Sequence, residues 1–343
     1  VGHGSPSVAR VPVRGSRVRG LMHGLAVGEV LGAGVLPVGT LPHGVATQLA
    51  CFTAAASIRT SLRRSVNGTA DARADLLEAY LRWARTWTAG ASRAASTAWL
   101  DEVPLLAHAS GDAADTVRGL AVTGAGTRRD PVTTSAGWHA LARALPLAAQ
   151  VGRDTTAAVE FAVDSAALTH GPRTFAPTAL AVLVAGAALA TGDVGRAVAD
   201  GITEAILRGV DFAAVSVVDD AVRAARETPA SPVVLRAGAP DDSAAATLWG
   251  ATYCALSHPQ GTAAALALAS AAPHPTAVSC VTGALLGAAN GDDSLPQAVL
   301  TRIDLAYVVE RLSRDLARDN RANPDGSWGA SDDPTWRVRY GVD

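Results

Sequence analysis

The segment Arg19-Gly20-Leu21-Met22-His23-Gly24-Leu25-Ala26-Val27-Gly28-Glu29-Val30-Leu31-Gly32 carries a glycine at every fourth position. That spacing returns to nearly the same face of an α-helix, so the glycines form one bare stripe on a helix read over Arg17 to Leu31. A bare stripe lets a second helix backbone come close. Gly283 and Gly287 repeat the spacing far along the chain, in a helix read over Thr276 to Ala289. The two helices are predicted to pack against each other at the centre of the molecule.

Working outward, alternating strand patterns are nearly absent. Further helices are read over Thr47 to Leu62, Ala72 to Trp87, Ala91 to Leu100, Asp112 to Thr123, Trp138 to Leu145 and Thr155 to Thr169. They continue over Thr174 to Thr191, Asp193 to Arg208, Ala213 to Arg226, Asp242 to Ser257, Gly261 to Ser270 and Leu305 to Asn320. Asp154 before Thr155 is an N-cap signal, Pro296 is suited to a first turn, and Gly209 and Gly291 are stops. The 343 residues are 49% hydrophobic but only 4% aromatic, so Ala, Val and Leu must fill the core. The expected fold is an all-α single domain over residues 19–320. Residues 1–18 are expected to form a flexible arm, and the turn-rich tail 321–343 to lie on the surface, pinned by Trp328 and Trp336.

Composition excludes several classes of function. Net charge is −2 and no lysine occurs, which argues against nucleic-acid binding and rules out a lysine-dependent phosphate loop. Heavy use of Arg and Ala fits the coding bias of a GC-rich bacterial genome. The longest apolar stretch, Thr178 to Ala190, is shorter than the roughly 20 residues of a membrane-spanning helix. Cys51, Cys254 and Cys280 form no paired motif and sit in apolar runs, as buried free thiols of a cytoplasmic protein do. Asn67-Gly68-Thr69 reads as a turn. The acid pairs Asp219-Asp220, Asp241-Asp242, Asp292-Asp293 and Asp332-Asp333 read as solvated or capping groups at helix edges. The spacing Gly24, Gly28, Gly32, Gly34 is not that of a dinucleotide-binding loop, and no strand precedes it.

The opening segment resembles the first helix of the ADP-ribosylglycohydrolases, the group that contains the dinitrogenase reductase-activating glycohydrolase. Ala74 to Trp83 is similar to the family's helix ending in an aromatic residue. Ser135-Ala136-Gly137 through Arg143 and Pro146-Leu147 is similar to its glycine-rich segment, and Leu168-Thr169-His170 to its Thr-His element. Thr247 to Ala251, Thr282 to Ala288 and Leu295-Pro296 resemble its C-terminal third in order and spacing. The resemblance covers residues 19 to 315 and implies an all-α orthogonal bundle.

It also implies a loss. The family's hydrolysis depends on two Mg²⁺ or Mn²⁺ ions held by a Thr-Asp-Asp-Thr motif and a late Gly-Asp-Thr-Asp-Thr motif. The first falls on Gly44-Val45-Ala46-Thr47, so Val45 and Ala46 replace both carboxylates. The second falls on Pro273-His274-Pro275-Thr276-Ala277, so His274 and Thr276 stand where its aspartates would be. The acid that many members carry after the first helix falls on Val35 or Leu36. Glu29 stands where the family usually has Asp and is read as a structural hydrogen-bonding group. No Asp or Glu occurs between Gly32 and Asp71, or between Asp242 and Asp292, so a shift of register restores nothing. Hard dications need several anionic oxygens, and these side chains supply none.

The expected cofactor is therefore none, and no catalytic residue is expected. The chain reads as a pseudoenzyme that binds ADP-ribose, a related nucleotide or an ADP-ribosylated protein. Its candidate pocket is His43, Thr47, Ser135, Gly137, Thr169, His170 and, more loosely, Tyr253. A second reading is an enzyme in which His43, His170 and His274 gather to hold Zn²⁺ or Ni²⁺, or to move protons. A third is a scaffold without a ligand site, for which the cleft would be apolar and collapsed.

Overall fold

The computed structural model describes residues 13–34, 38–85, 99–108, 110–122, 125–321 and 333–342. The α-helices are α1 (Arg14–Gly32), α2 (Val45–Asn67), α3 (Ala72–Ala84), α4 (Ala114–Leu120), α5 (His139–Ala144), α6 (Thr155–Ala167), α7 (Phe175–Thr191) and α8 (Val194–Leu207). They continue as α9 (Phe212–Glu227), α10 (Pro232–Gly238), α11 (Ala244–Ser257), α12 (Thr262–Ala269), α13 (Pro275–Asn290), α14 (Gln297–Leu300), α15 (Ala306–Asp319) and α16 (Pro334–Tyr340). Among the described residues no strand forms, and only the bridges Leu41 to Ile303 and Gly137 to Ser243 pair extended backbone. The fold is all-α, as the periodicity indicates.

The glycine stripe is the central seam. A methyl group on Gly20, Gly24 or Gly28 would overlap the carbonyl of Gly287, Gly283 or Ser279 respectively, and one on Gly32 would lie 2.6 Å from the Pro275 carbonyl oxygen. The pairing runs backwards along α13, so α1 and α13 are antiparallel with their backbones in contact. One consequence positions the site: the C-terminal end of α1 and the N-terminal end of α13 come out side by side.

Around this seam the core is built from small side chains. α7 packs on α8, α6 and α13 and is buried along most of its length. With the turn before it, Pro172–Thr191 is long and apolar enough to cross a membrane, although the uninterrupted apolar run is shorter. Of its most apolar window 72% is enclosed by protein, which marks a core helix. Arg17 closes the C-terminus of α7 by donating from Nη1 to the carbonyls of Leu189 (3.1 Å) and Ala190 (3.0 Å). The three cysteines are buried and unpaired.

Several boundaries differ from the sequence reading. α1 begins at Arg14, inside the stretch assigned to the arm, because a helix start without a side-chain cap leaves no sequence mark. The short α10 lies outside the helices read from the sequence, although Ser231 caps it and Pro232 opens it. Pro334–Tyr340 is helical where only a turn-rich tail is expected. Asp333 caps it, Trp336 is buried, and Tyr340 donates to Asp315 (2.8 Å). The helix expected over Ala91 to Leu100 falls mostly outside the described residues, and Trp99–Glu102 is a 3₁₀ turn. Trp328, Asp332, Val35, Leu36 and residues 1–12 also lie outside them.

Two measurements test this account. Gly24→Ala forces α1 and α13 apart and should cost about 3 kcal/mol or more in chemical unfolding, whereas Gly15→Ala, with open space around it, should not destabilise. The second concerns Asp319, which is buried with Oδ2 unpartnered. Burial pushes its carboxyl up to about 7 against the opposing pull of Ser61 and Arg153. A raised folded pKa means the native state keeps a proton that the unfolded chain has released. The contribution is fully present below the ordinary carboxylate range and is lost as pH rises through about 7. Relative to Asp319→Asn, wild-type stability should fall by an amount on the order of a few kcal/mol from pH 4 to pH 8, read from paired unfolding curves.

Candidate functional site

The site begins where α1 ends. Glu29 is buried, and its carboxylate accepts from Ala46 N (2.7 Å), Thr47 N (2.9 Å) and Thr47 Oγ1 (2.6 Å). These are first-turn donors of α2, which has no cap of its own at Gly44. Glu29, on α1, therefore caps the next helix in the chain. Gly44 makes room for this, since a methyl group there would overlap the carboxylate. Burial raises the Glu29 pKa, and the bonds from Thr47 and Ala46 oppose the rise.

Beside it runs a second polar chain. Leu41 pairs with the Arg302–Asp304 backbone, bringing Asp304 under His43. Asp304 Oδ1 accepts from His43 N (3.0 Å) and lies 2.7 Å from His43 Nδ1. Gln48 Nε2 lies 2.9 Å from His43 Nε2 and donates to the His108 carbonyl (2.9 Å), while Gln48 Oε1 accepts from Trp83 Nε1 (3.0 Å). Nδ1 therefore holds the imidazole proton and Nε2 accepts. Both ring nitrogens of His43 are occupied.

The opposite wall is built from residues 135–138, which pair with 242–244 through Trp138 N to Asp242 O (3.0 Å) and Ala244 N to Ala136 O (2.8 Å). This joins the starts of α5 and α11. Behind the wall lies Arg143, fully buried, 4.5 Å above the Tyr80 ring and donating to Thr169 Oγ1 at 2.7 Å. His170 is fully buried beside it, with Nδ1 2.8 Å from Thr169 Oγ1 and Nε2 unpartnered. Burial and then Arg143 hold His170 well below the usual imidazole range, and the same causes push His139 down to about 4. Both rings are neutral near pH 7.

Between the walls is a cleft of about 700 Å³. Glu29, His43, Val45, Asp115, Trp138 and Thr276 are among its lining residues, and the N-terminal ends of α2, α4, α5, α11 and α13 all open on it. Of the residues singled out from sequence, His43, Val45, Gly137 and Thr276 line it. Ala46 and Thr47 are buried beneath it, and Ser135, Thr169 and His170 stand behind Gly137. Two expectations are corrected. Tyr253 is elsewhere: its hydroxyl donates to the Thr228 carbonyl (2.6 Å) and accepts from Ser231 N (2.8 Å), and its ring stacks on Trp249. His274 is exposed at the start of α13 near Asp241, and His43 is engaged by Asp304, so the three histidines do not gather. Among the described residues no three His, Cys, Asp or Glu side chains converge as metal ligands do.

The sequence profile of the ADP-ribosylglycohydrolase family matches residues 10–325. The chain belongs to the ADP-ribosylglycohydrolase family. Among solved structures, an ADP-ribosylglycohydrolase-related protein complex is similar at a TM-score of 0.61 and 22% identity, covering 90% of this chain and 99% of that one. At that identity the likeness speaks for the fold. No curated protein sequence matches.

Within this glycohydrolase fold, the sequence reading missed Asp112, Asp115, Trp138, His139 and Asp242 in the cleft, and Asp304 behind it. None lies near the metal-motif positions in sequence, and only folding brings them there. The capping role of Glu29 is testable. Glu29→Ala leaves three donors of α2 facing a void, and should lower unfolding free energy by about 2–4 kcal/mol, with Glu29→Gln intermediate.

Proposed function

We propose that this family member is a non-hydrolytic binding module whose cleft takes ADP-ribose or a related nucleotide, free or carried on a protein. The observation that carries the first half is the state of the carboxylates. Both Glu29 oxygens already accept donors from α2, and Asp304 Oδ1 is shared by two donors of His43. Val45 and Ala46 offer no oxygen, Thr276 offers a neutral hydroxyl, and His274 is exposed outside the lining. Asp112, Asp115 and Asp242 also line the cleft, but among the described residues no three His, Cys, Asp or Glu side chains converge as metal ligands do, so the donor set does not fit a pair of Mg²⁺ or Mn²⁺ ions.

The binding half is supported by shape and field. The cleft is open and its lining is mixed polar and apolar, unlike the collapsed apolar seam of a pure scaffold, and its volume is ordinary for a small-molecule site. α13, of 16 residues, starts at the cleft with no side-chain cap and no acid in its first turn, so its positive end faces the space. That end supplies attraction for a diphosphate where the late metal motif falls.

The decisive experiment is calorimetric titration of ADP-ribose in EDTA and again with Mg²⁺ or Mn²⁺, alongside hydrolysis assays on ADP-ribosylated arginine and serine substrates. Binding insensitive to EDTA and no release of ADP-ribose are expected. Metal-dependent turnover overturns the proposal.

A further inference from the structure

A separate cavity, of about 770 Å³, opens at the other end of α1 from the cleft. Its described lining comes from the start of α1, from Gly152, and from the end of α15 with the residues just beyond it. Arg14, Arg318 and Arg321 stand in that lining, and no described Asp, Glu or His does. The remaining wall is mainly apolar, with Val13 and Ala317 in it.

Positive charge here is poorly balanced. Arg14 is half-buried and donates from Nη2 to the Ala149 carbonyl at 2.9 Å, while burial and then Arg17 lower its pKa. Arg17, one turn on, is buried with only the carbonyls of Leu189 and Ala190 as acceptors. Among the described residues no carboxylate pairs with Arg14, Arg17 or Arg321. Arg318 has Asp333 at 3.1 Å, and Asp319 is turned to Ser61 and Arg153. A guanidinium keeps its proton near neutral pH, so the cost of enclosing these charges persists until an anion offsets it.

The backbone adds to the same field. α1, of 19 residues, starts with no side-chain cap and no acid in its first turn, and its first ladder bond is Arg17 N to Val13 O at 3.2 Å. The amide of Gly15 therefore has no acceptor within the helix, and the space over Gly15 is open. The facing end of α15 is closed, because Asn320 N and Arg321 N return to the carbonyls of Leu316 and Arg318. Asn320 lines the cavity at 3% exposure; its Nδ2 donates to the Leu316 carbonyl (3.1 Å) and its Oδ1 has no partner. A buried amide oxygen left in this way calls for a donor.

We propose that this cavity binds a small organic anion, its acidic group held by Arg14, Arg321 and the start of α1, its flat apolar body against the wall, and a hydroxyl or amino group donating to Asn320. The guanidinium fork matches two oxygens of one acidic group, and guanidinium faces stack on flat rings. The volume is that of a small-molecule site. The site is independent of the cleft and of the nucleotide reading.

Calorimetric titration with three matched probes tests it: p-hydroxyphenylacetate, phenylacetate, which lacks the donor, and tyramine, which carries an ammonium in place of the carboxylate. The hydroxylated acid should bind at millimolar concentration or tighter, phenylacetate about fivefold or more weakly, and tyramine not at all. Arg14→Gln and Arg321→Gln should each weaken the acid about fivefold or more. Arg321 is exposed, so the thermal unfolding of Arg321→Gln should match wild type and separate lost binding from lost folding. Saturating ADP-ribose should leave the titration unaltered. Displacement by ADP-ribose places the probe in the cleft and overturns the proposal. Unchanged affinity in both Arg variants, tyramine bound as tightly as the acid, or no binding by any probe overturns it too.

Discussion

The backbone contact between α1 and α13 is the constraint on which the remaining structure hangs. Because Gly20, Gly24 and Gly28 leave no room for a side chain, the two helices are held at one spacing and one register. That register sets the end of α1 beside the start of α13. Glu29 then reaches the first turn of α2, and Thr276 faces the same cleft. A slip of one helical turn would move Glu29 about 5 Å along the axis and leave the buried donors of α2 without a cap.

A carboxylate near several positive helix ends is suited to a dication when its oxygens are free. In Glu29 three donors of α2 occupy them, and Val45 and Ala46 stand where further acids are expected. Asp304 is likewise turned to His43, whose second nitrogen faces Gln48. Hydrogen bonds between protein groups thus hold this corner of the molecule together. Behind the opposite wall, His170 Nε2 is left without a partner.

Much of the architecture is legible in local pattern. The core of nearly every long helix follows from apolar period, and the meeting of α1 and α13 follows from glycine spacing, because a bare stripe has few other uses. Boundaries are less legible: α1 starts at Arg14 without a cap, and α16 depends on burying Trp336 against the body of the protein. In the site, Thr169 and His170 are adjacent in sequence and stay together. Tyr253 resembles a pocket residue by position alone, yet its hydroxyl is spent holding the turn before α10 to α11.

By itself, the sequence determined the all-helical fold, the family and the central seam, since each depends on residue type at short spacing. Tertiary structure alone decided which distant groups meet. It brought Asp115 to Ser135, Asp304 to His43 and Glu29 to α2, and it kept His274 away from the other two histidines. The reason is physical: helical periodicity is set within a turn or two of chain, whereas the convergence of helix ends depends on the path of every loop between them.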